Sequence, residues 1–221
     1  MKDFLQTIWT ILWKDFRAEL RSRELIGSMG LFTLLGILVF SFALELDRST
    51  RQEVVNGVLW VTMVFASILG LNRSMAQERE QGNMDALMIA PVHRSAIFMG
   101  KFLGNLGFTL LIGLLLLPVM SVLYNLNLFR VELIVMLGLG VMGICAIGTL
   151  LATMTVQTRA RETLLPIALL PTVLPIIVTV VRATNALLLG DDIRQWLIVL
   201  ALVGVIYIII GATLFEYVTE D

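Results

Sequence analysis

Six long uncharged runs constrain the fold of this chain more than any other feature of its sequence. They cover residues 25–44, 54–72, 102–129, 133–158, 163–181 and 195–215. A helix needs about 20 apolar residues to cross the hydrocarbon core of a bilayer, and each run is close to that length or longer. The runs are continuous, whereas the strands of a membrane barrel alternate apolar and polar residues over about ten positions. The sequence therefore predicts an all-α polytopic membrane protein with six transmembrane helices.

The composition agrees with a membrane protein. Charged residues make up 15% of the 221 positions and hydrophobic residues 58%, whereas a soluble domain carries about 25% charged residues. We predict a single transmembrane domain over residues 1–221. The net charge of −1 gives no sign of nucleic acid binding.

The positive charges predict the orientation of the chain in the membrane. If the N-terminus is cytoplasmic, eleven of the 16 Lys and Arg residues fall in cytoplasmic segments and five fall in outer loops. Lys and Arg concentrate on the cytoplasmic side of membrane proteins. Both termini and the polar segment 73–101 are therefore predicted to be cytoplasmic.

Residues 2–23 precede the first run and have the periodicity of an amphipathic helix. Their apolar residues recur at spacings of three and four, at Leu5, Ile8, Trp9, Leu12, Trp13, Phe16 and Leu20. Two tryptophans with basic residues on the other face are typical of a helix that lies in the membrane interface. This interfacial helix is either an orientation anchor or an elbow helix that also touches a partner subunit.

Residues that could carry chemistry are scarce. His93 is the only histidine and Cys145 the only cysteine, so the sequence offers no metal site and no intramolecular disulfide. Charged residues are absent from the interior of the runs, so nothing indicates ion coupling, and the Ser, Thr, Asn and Gln residues there are expected to bond helix to helix. Gly100 and Lys101 lack the surrounding residues of a P-loop, although the Gly100-x-x-x-Gly104 spacing permits close helix packing. We predict no catalytic residue.

The polar segment 73–101 is the only long stretch suited to water. A helix over about 83–89 would place Met84, Leu87 and Met88 on one face, with Gly82 permitting a sharp entry and Pro91 ending it. Two helical turns are marginal without a docking partner. The segment is either an interfacial loop helix or a coupling helix inserted into a groove on a nucleotide-binding subunit. The predicted coupling residues are Glu78, Glu80, Gly82, Met84, Asp85, Leu87, Met88 and Pro91.

The fifth run contains three prolines, Pro166, Pro171 and Pro175. Each proline inside a helix removes a backbone hydrogen bond and bends the helix. The three prolines predict either a static kink or a conformational hinge that moves during a working cycle.

Two of these patterns resemble those of a known family. The string Glu78-x-x-x-Gly82-x-Met84-Asp85-x-Leu87-x-x-x-Pro91, followed by Gly100-Lys101 where a span begins, resembles the signature of ABC-exporter permeases of the polysaccharide and drug type. Within that superfamily, the length, the six runs, the amphipathic N-terminus and the proline-rich fifth run make the whole chain similar to the CcmB family. Members of that family are the haem exporter membrane subunit of cytochrome c maturation.

The resemblance implies an ABC exporter permease fold in the bacterial inner membrane. It implies a subunit that is not itself an enzyme and that couples ATP hydrolysis by a CcmA-like ATPase subunit to haem export or to release of a haem-loaded CcmE-like chaperone. A CcmC-like haem-handling subunit and a small CcmD-like subunit would complete the complex, with two copies of this chain matching two ATPase copies. Haem and ATP are then handled by partner subunits, and no cofactor binds this chain directly.

The resemblance also suggests short re-entrant or external gate helices within residues 182–194. Two other functions stay open. One is an ABC exporter permease for a drug, lipid or polysaccharide, and the other is a membrane scaffold without a transport role.

Overall fold

The computed structural model describes residues 2–43, 48–80, 82, 89, 91–156 and 161–218. Within these ranges the chain forms seven long helices and no strand. They are α1 (Lys2–Ser22), α2 (Glu24–Ala43), α3 (Arg48–Glu80), α4 (Arg94–Tyr124), α5 (Val131–Val156), α6 (Arg161–Leu189) and α7 (Arg194–Val218). The helices α2 to α7 are long and apolar enough to cross a membrane. The predicted all-α polytopic fold, with six transmembrane helices preceded by one amphipathic helix, is confirmed.

The centre of the bundle is α5, which packs against α3, α4, α6 and α7. Its side chains at Met136, Val141 and Ile144 are fully buried. A Cβ atom at Gly140 would lie 2.9 Å from both Trp60 on α3 and Val180 on α6. Glycine at this position therefore lets three helices approach closely.

Polar side chains inside the bundle use two kinds of hydrogen bond. Asn105 on α4 donates its amide to Thr149 on α5 at 3.1 Å, as expected for a bond between helices. Several hydroxyls instead donate to the carbonyl four residues earlier in their own helix, a bond that satisfies a hydroxyl without a partner helix. These hydroxyls belong to Thr33, Ser67, Thr153 and Thr179.

The helices α3 and α4 are longer than their uncharged runs. The second run ends at residue 72 but α3 continues to Glu80, and the third run begins at residue 102 but α4 begins at Arg94. Both extensions enter the polar segment 73–101. The buried charged residues Glu78 and Lys101 lie in these extensions and not in the uncharged runs.

The expectation of separate gate helices after the fifth run is wrong. The helix α6 continues without a break from Arg161 to Leu189, through its three prolines and through residues 182–189. Ala183 and Thr184 are buried there, so this stretch continues the packed face of the helix. The helix ends before Gly190, which has a φ of +82° that glycine adopts readily.

Candidate coupling site

The interfacial helix α1 packs on the first half of α4. A Cβ atom at Gly100 would lie 2.9 Å from Cβ of Ile11, and one at Gly104 would lie 3.5 Å from a carboxylate oxygen of Asp15. The close approach predicted for the Gly100-x-x-x-Gly104 pair is therefore confirmed, and its partner is α1.

The apolar residues of α1 divide between two surfaces. Ile8 and Ile11 are buried in the chain's own core. Trp9 and Trp13 are more than half exposed, and their rings stack at 6.4 Å. Leu5 and Leu20 are exposed as well. One face of α1 is thus fixed to the bundle, and the exposed aromatic and aliphatic side chains suit a membrane interface.

Four charged side chains from three helices meet between α1, α3 and α4, and we name them the charge cluster. Lys14 and Asp15 come from α1, Glu78 from α3 and Lys101 from α4. Lys101 Nζ donates to both carboxylate oxygens of Asp15, at 2.9 and 2.8 Å, and to Oε1 of Glu78 at 2.6 Å. Lys14 Nζ also donates to Oε1 of Glu78, at 2.6 Å, and lies 3.4 Å from Asp15 Oδ1.

Three of the four side chains of the charge cluster are buried, and the cluster is formally neutral. The side chain of Lys101 is 3% exposed, that of Glu78 8% and that of Asp15 10%, while that of Lys14 is 38% exposed. Two cations face two anions, which is the arrangement that offsets the cost of removing charges from water. Burial alone would lower the pKa of Lys14, but its hydrogen bond to Glu78 and the nearby carboxylates raise that pKa above its ordinary value. Lys14 is therefore charged at neutral pH.

A further carboxylate of α1, that of Glu19, fixes the turn from α1 into α2. It accepts the backbone N–H of Leu25 at 3.3 Å and of Ile26 at 2.7 Å. These are first-turn donors of α2 that lack partners within the helix. Arg23, between the two helices, has a φ of +56°. The elbow between the interfacial helix and the first span is thus set by a side-chain cap.

The predicted coupling residues lie partly inside and partly outside the described chain. Glu78 is buried in the charge cluster, whereas Glu80, Gly82 and Pro91 are exposed. Gly82 has a φ of +66°, a conformation that glycine tolerates without strain. Met84, Asp85, Leu87 and Met88, with most of the predicted helix 83–89, lie outside the described residues.

The predicted hinge prolines all lie within α6. Pro166 is half-buried and lines a groove of about 790 Å³ between α2, α3 and α6, together with Arg73 and Glu80 from the C-terminal end of α3. One predicted hinge residue and one predicted coupling residue therefore border the same groove. Arg73 also donates to Glu24 at the start of α2.

Farther along α6, the hydroxyl of Tyr207 on α7 donates to the carbonyl of Thr172 at 2.5 Å. This bond ties α7 to the proline-containing part of α6. Hinge motion at the prolines stays a prediction.

The charge cluster is the feature that sequence reasoning missed. The sequence predicts Glu78 as a contact for another subunit, and within this chain its carboxylate binds two lysines. No role was predicted for Lys14 or Asp15. The available signal was Lys101, a lysine flanked by apolar residues and small glycines at the start of a span. Among the described residues, no group of three or more His, Cys, Asp or Glu side chains is arranged to hold a metal ion.

Comparison with known proteins gives one consistent family. The family model described as CcmB protein matches residues 6–215. A protein named heme exporter protein B from Rhodobacter capsulatus is 28% identical over 169 residues, which is 76% of this chain and 78% of the relative. A protein of the same name from Paracoccus denitrificans is 27% identical over 192 residues, covering 86% of this chain and 88% of the relative. Because the family match spans all but the ends of the chain, and six helices can cross a membrane, this multi-pass bacterial membrane protein belongs to the CcmB family.

Proposed function

We propose that this chain is the membrane-spanning permease subunit of an ABC-type complex that serves haem export in cytochrome c maturation. The family membership and the name carried by its relatives, heme exporter protein B, support this assignment. The subunit couples ATP hydrolysis on a separate ATPase to haem export or to release of a haem-loaded chaperone. It resides in the bacterial inner membrane with both termini in the cytoplasm.

The observation that carries the coupling role is the way α3 and α4 enter the polar segment. Both helices extend by eight residues beyond their uncharged runs, and four of the five described residues between α3 and α4, Gly82 and Pro91 among them, are exposed. A soluble subunit that docks on this segment would act directly on the ends of two spans. The distribution of Lys and Arg supports a cytoplasmic position for the segment, the side of the membrane on which a soluble ATPase would dock.

In this mechanism the chain transmits displacement and carries out no bond chemistry. When the segment between α3 and α4 is displaced, the two helices move with it as rigid bodies. The displacement also reaches the groove that Glu80 shares with Pro166, because a shift of α3 changes the wall opposite α6. The prolines of α6 lack the N–H groups that would stiffen this helix, so α6 is the span best suited to respond.

The partners that complete the assembly are a CcmA-like ATPase, a CcmC-like haem-handling subunit, a small CcmD-like subunit and a CcmE-like haem chaperone. Two copies of this chain would match two ATPase copies. Haem and ATP bind to the partner subunits and not to this chain. We assign no catalytic residue to it.

The groove between α2, α3 and α6 supports a second candidate function. Its walls combine Arg73 and Glu80 with Phe32 and Phe65, so it could receive an amphiphilic molecule such as a lipid or drug. A permease for such a substrate would change its export when Phe65 is altered, with c-type cytochromes unaffected. Loss of c-type cytochromes with unchanged export of such a molecule supports haem export. A non-transporting scaffold would change neither the export nor the cytochromes.

The coupling role is tested with a matched pair of glycine variants. Gly82 and Gly190 are both exposed with positive φ, and a Cβ at either position would meet nothing within 4 Å. They lie at opposite ends of the bundle, so Gly82→Trp and Gly190→Trp impose the same local strain on different sides of the membrane. We expect Gly82→Trp to insert normally, to lose stimulation of the co-purified ATPase and to stop cytochrome c maturation.

Gly190→Trp should retain both activities. Leu87→Glu, which places a charge on the predicted docking face, should behave as Gly82→Trp does. Normal ATPase stimulation and normal c-type cytochromes in Gly82→Trp would contradict the coupling role. Equal loss in both tryptophan variants would show that strain, and not docking, causes the defect.

A further inference from the structure

We infer that Lys14, Asp15 and Lys101 are positioning residues that close the base of the segment between α3 and α4 and join α1 to that base as one rigid unit. The consequence for coupling rests on the proposed function. The rigid unit itself does not, because it follows from contacts within the chain.

The first step is the position of the Glu78–Lys101 ion pair along the chain. Glu78 lies two residues before the end of α3, and Lys101 lies two helical turns after the start of α4. Their charged groups are 2.6 Å apart, so one buried contact connects the two helices on either side of residues 81–93. A segment with a closed base passes a displacement to both helices, whereas a segment with an open base bends and absorbs part of it.

The second step is the attachment of α1. Asp15 receives both of its close hydrogen bonds from Lys101, and Lys14 binds the same oxygen of Glu78 that Lys101 binds. Beside these contacts, Ile11 packs directly on Gly100. The interfacial helix is thus fixed to both helices that flank the segment, and it must follow them when they move.

The third step is the resistance of the charge cluster to opening. Separating α1 from α4 would leave the Lys101 ammonium, which is 3% exposed, with only Glu78 as a partner. Lys101 would lose two of its three hydrogen bonds, and removing a partner from a buried charge is strongly destabilising. We therefore expect the charge cluster to stay closed throughout the working cycle, while the exposed face of α1 slides within the membrane interface.

The test uses the double variant Asp15→Asn/Lys101→Met. It removes one cation and one anion, so the charge cluster stays neutral, and it keeps the Lys14–Glu78 pair and all eight predicted coupling residues. The control is Arg17→Met, which removes a cation from an exposed position of α1. Hydrogen exchange of the purified chain in lipid nanodiscs should be at least ten-fold faster for α1 amides in the double variant, and unchanged in the control.

A second readout separates positioning from a purely structural role. In the complex with its ATPase subunit, the double variant should assemble normally and show at least a five-fold lower stimulated kcat with an unchanged KM for ATP. A merely structural role would lower the yield of complex and leave the kcat of the assembled fraction intact.

A reversible crosslink tests whether α1 stays attached during turnover. Cβ of Asp15 lies 3.9 Å from the position of a Cβ at Gly104, and disulfides require about 3.5–4.5 Å. We expect the oxidised Asp15→Cys/Gly104→Cys complex to hydrolyse ATP with a stimulated kcat at least that of the reduced form.

An oxidised complex without stimulated turnover, beside a reduced complex of the same variant that retains it, would overturn the inference, because it would show that α1 must leave α4. Unchanged hydrogen exchange in the double variant would overturn it as well. If exchange changes as expected but the wild-type chain stimulates no ATPase, the rigid unit stands and the proposed function fails.

Discussion

Replacing Lys101 with methionine should destabilise the chain by an amount that its contacts define. The change keeps an unbranched side chain that is one heavy atom shorter, but removes two hydrogen bonds to Asp15 and one to Glu78, all between 2.6 and 2.9 Å. Loss of one partner from a buried ion pair costs roughly 3–5 kcal/mol. Lys14 remains 2.6 Å from Glu78 and 3.4 Å from Asp15. Because this lysine is partly exposed, it offsets only part of the loss, and we expect the low end, about 3 kcal/mol.

A double-mutant cycle measures this cost. Asp15→Asn alone leaves the charge cluster with one surplus cation, and Lys101→Met alone leaves one surplus anion, whereas the double variant is neutral. The double variant should therefore be more stable than the sum of the single losses predicts, by roughly 1–3 kcal/mol. Denaturant unfolding in mixed micelles, followed by the fluorescence of the four tryptophans, gives each free energy. The reasoning is refuted if Lys101→Met unfolds within about 0.5 kcal/mol of the wild type, or if the two losses simply add.

Three further substitutions test the packing of the helices. Gly100→Ala places a methyl group 2.9 Å from Ile11 and should cost about 1–3 kcal/mol, while Gly138→Ala, with nothing within 4 Å, should be neutral or stabilising in the same unfolding assay. Glu19→Ala removes the cap of α2 and should raise hydrogen exchange in the first turn of that helix, at a cost of about 1–3 kcal/mol; unchanged exchange there would count against the cap. Trp60→Phe removes a 3.0 Å hydrogen bond between α3 and α6 and should cost about 0.5–1.5 kcal/mol plus lost packing, so unchanged stability would contradict the assigned bond.

The six spans could be predicted because a bilayer imposes a length and excludes charge. The length of an uncharged run identifies only the part of a helix that crosses the hydrocarbon core. It therefore ended the second span at residue 72 and began the third at residue 102, although α3 reaches Glu80 and α4 starts at Arg94. It also ended the fifth span at 181, because Arg182 interrupts the apolar run without interrupting the helix.

The charge cluster could not be predicted from local pattern because its members are far apart in sequence. Asp15 and Lys101 are separated by 86 positions, and Lys14 and Glu78 by 64. On α1, Lys14 and Asp15 look like part of an ordinary polar face, and only the packing of α1 on Gly100 turns them inward. The exposed positions Glu80, Gly82 and Pro91 agree with the expectation that the polar segment faces water, but the ends of that segment, with Met75 and Phe98, are buried in the bundle. The contact of the three exposed positions with another subunit stays a prediction.

The long sequence separation within the charge cluster also sets an order of events during synthesis. Lys14 and Asp15 leave the ribosome first, but Lys101 follows 86 residues after Asp15, which is about 4–17 s at 5–20 residues per second. During that interval the first two spans exist while Asp15 lacks Lys101, so the charge cluster can hold α1 only through the Lys14–Glu78 pair. The contacts that attach α1 to the bundle are complete only when the third span, which carries Lys101, begins to insert. Nascent chains arrested before residue 101 should accordingly expose α1 to protease, and chains arrested after the third span should protect it.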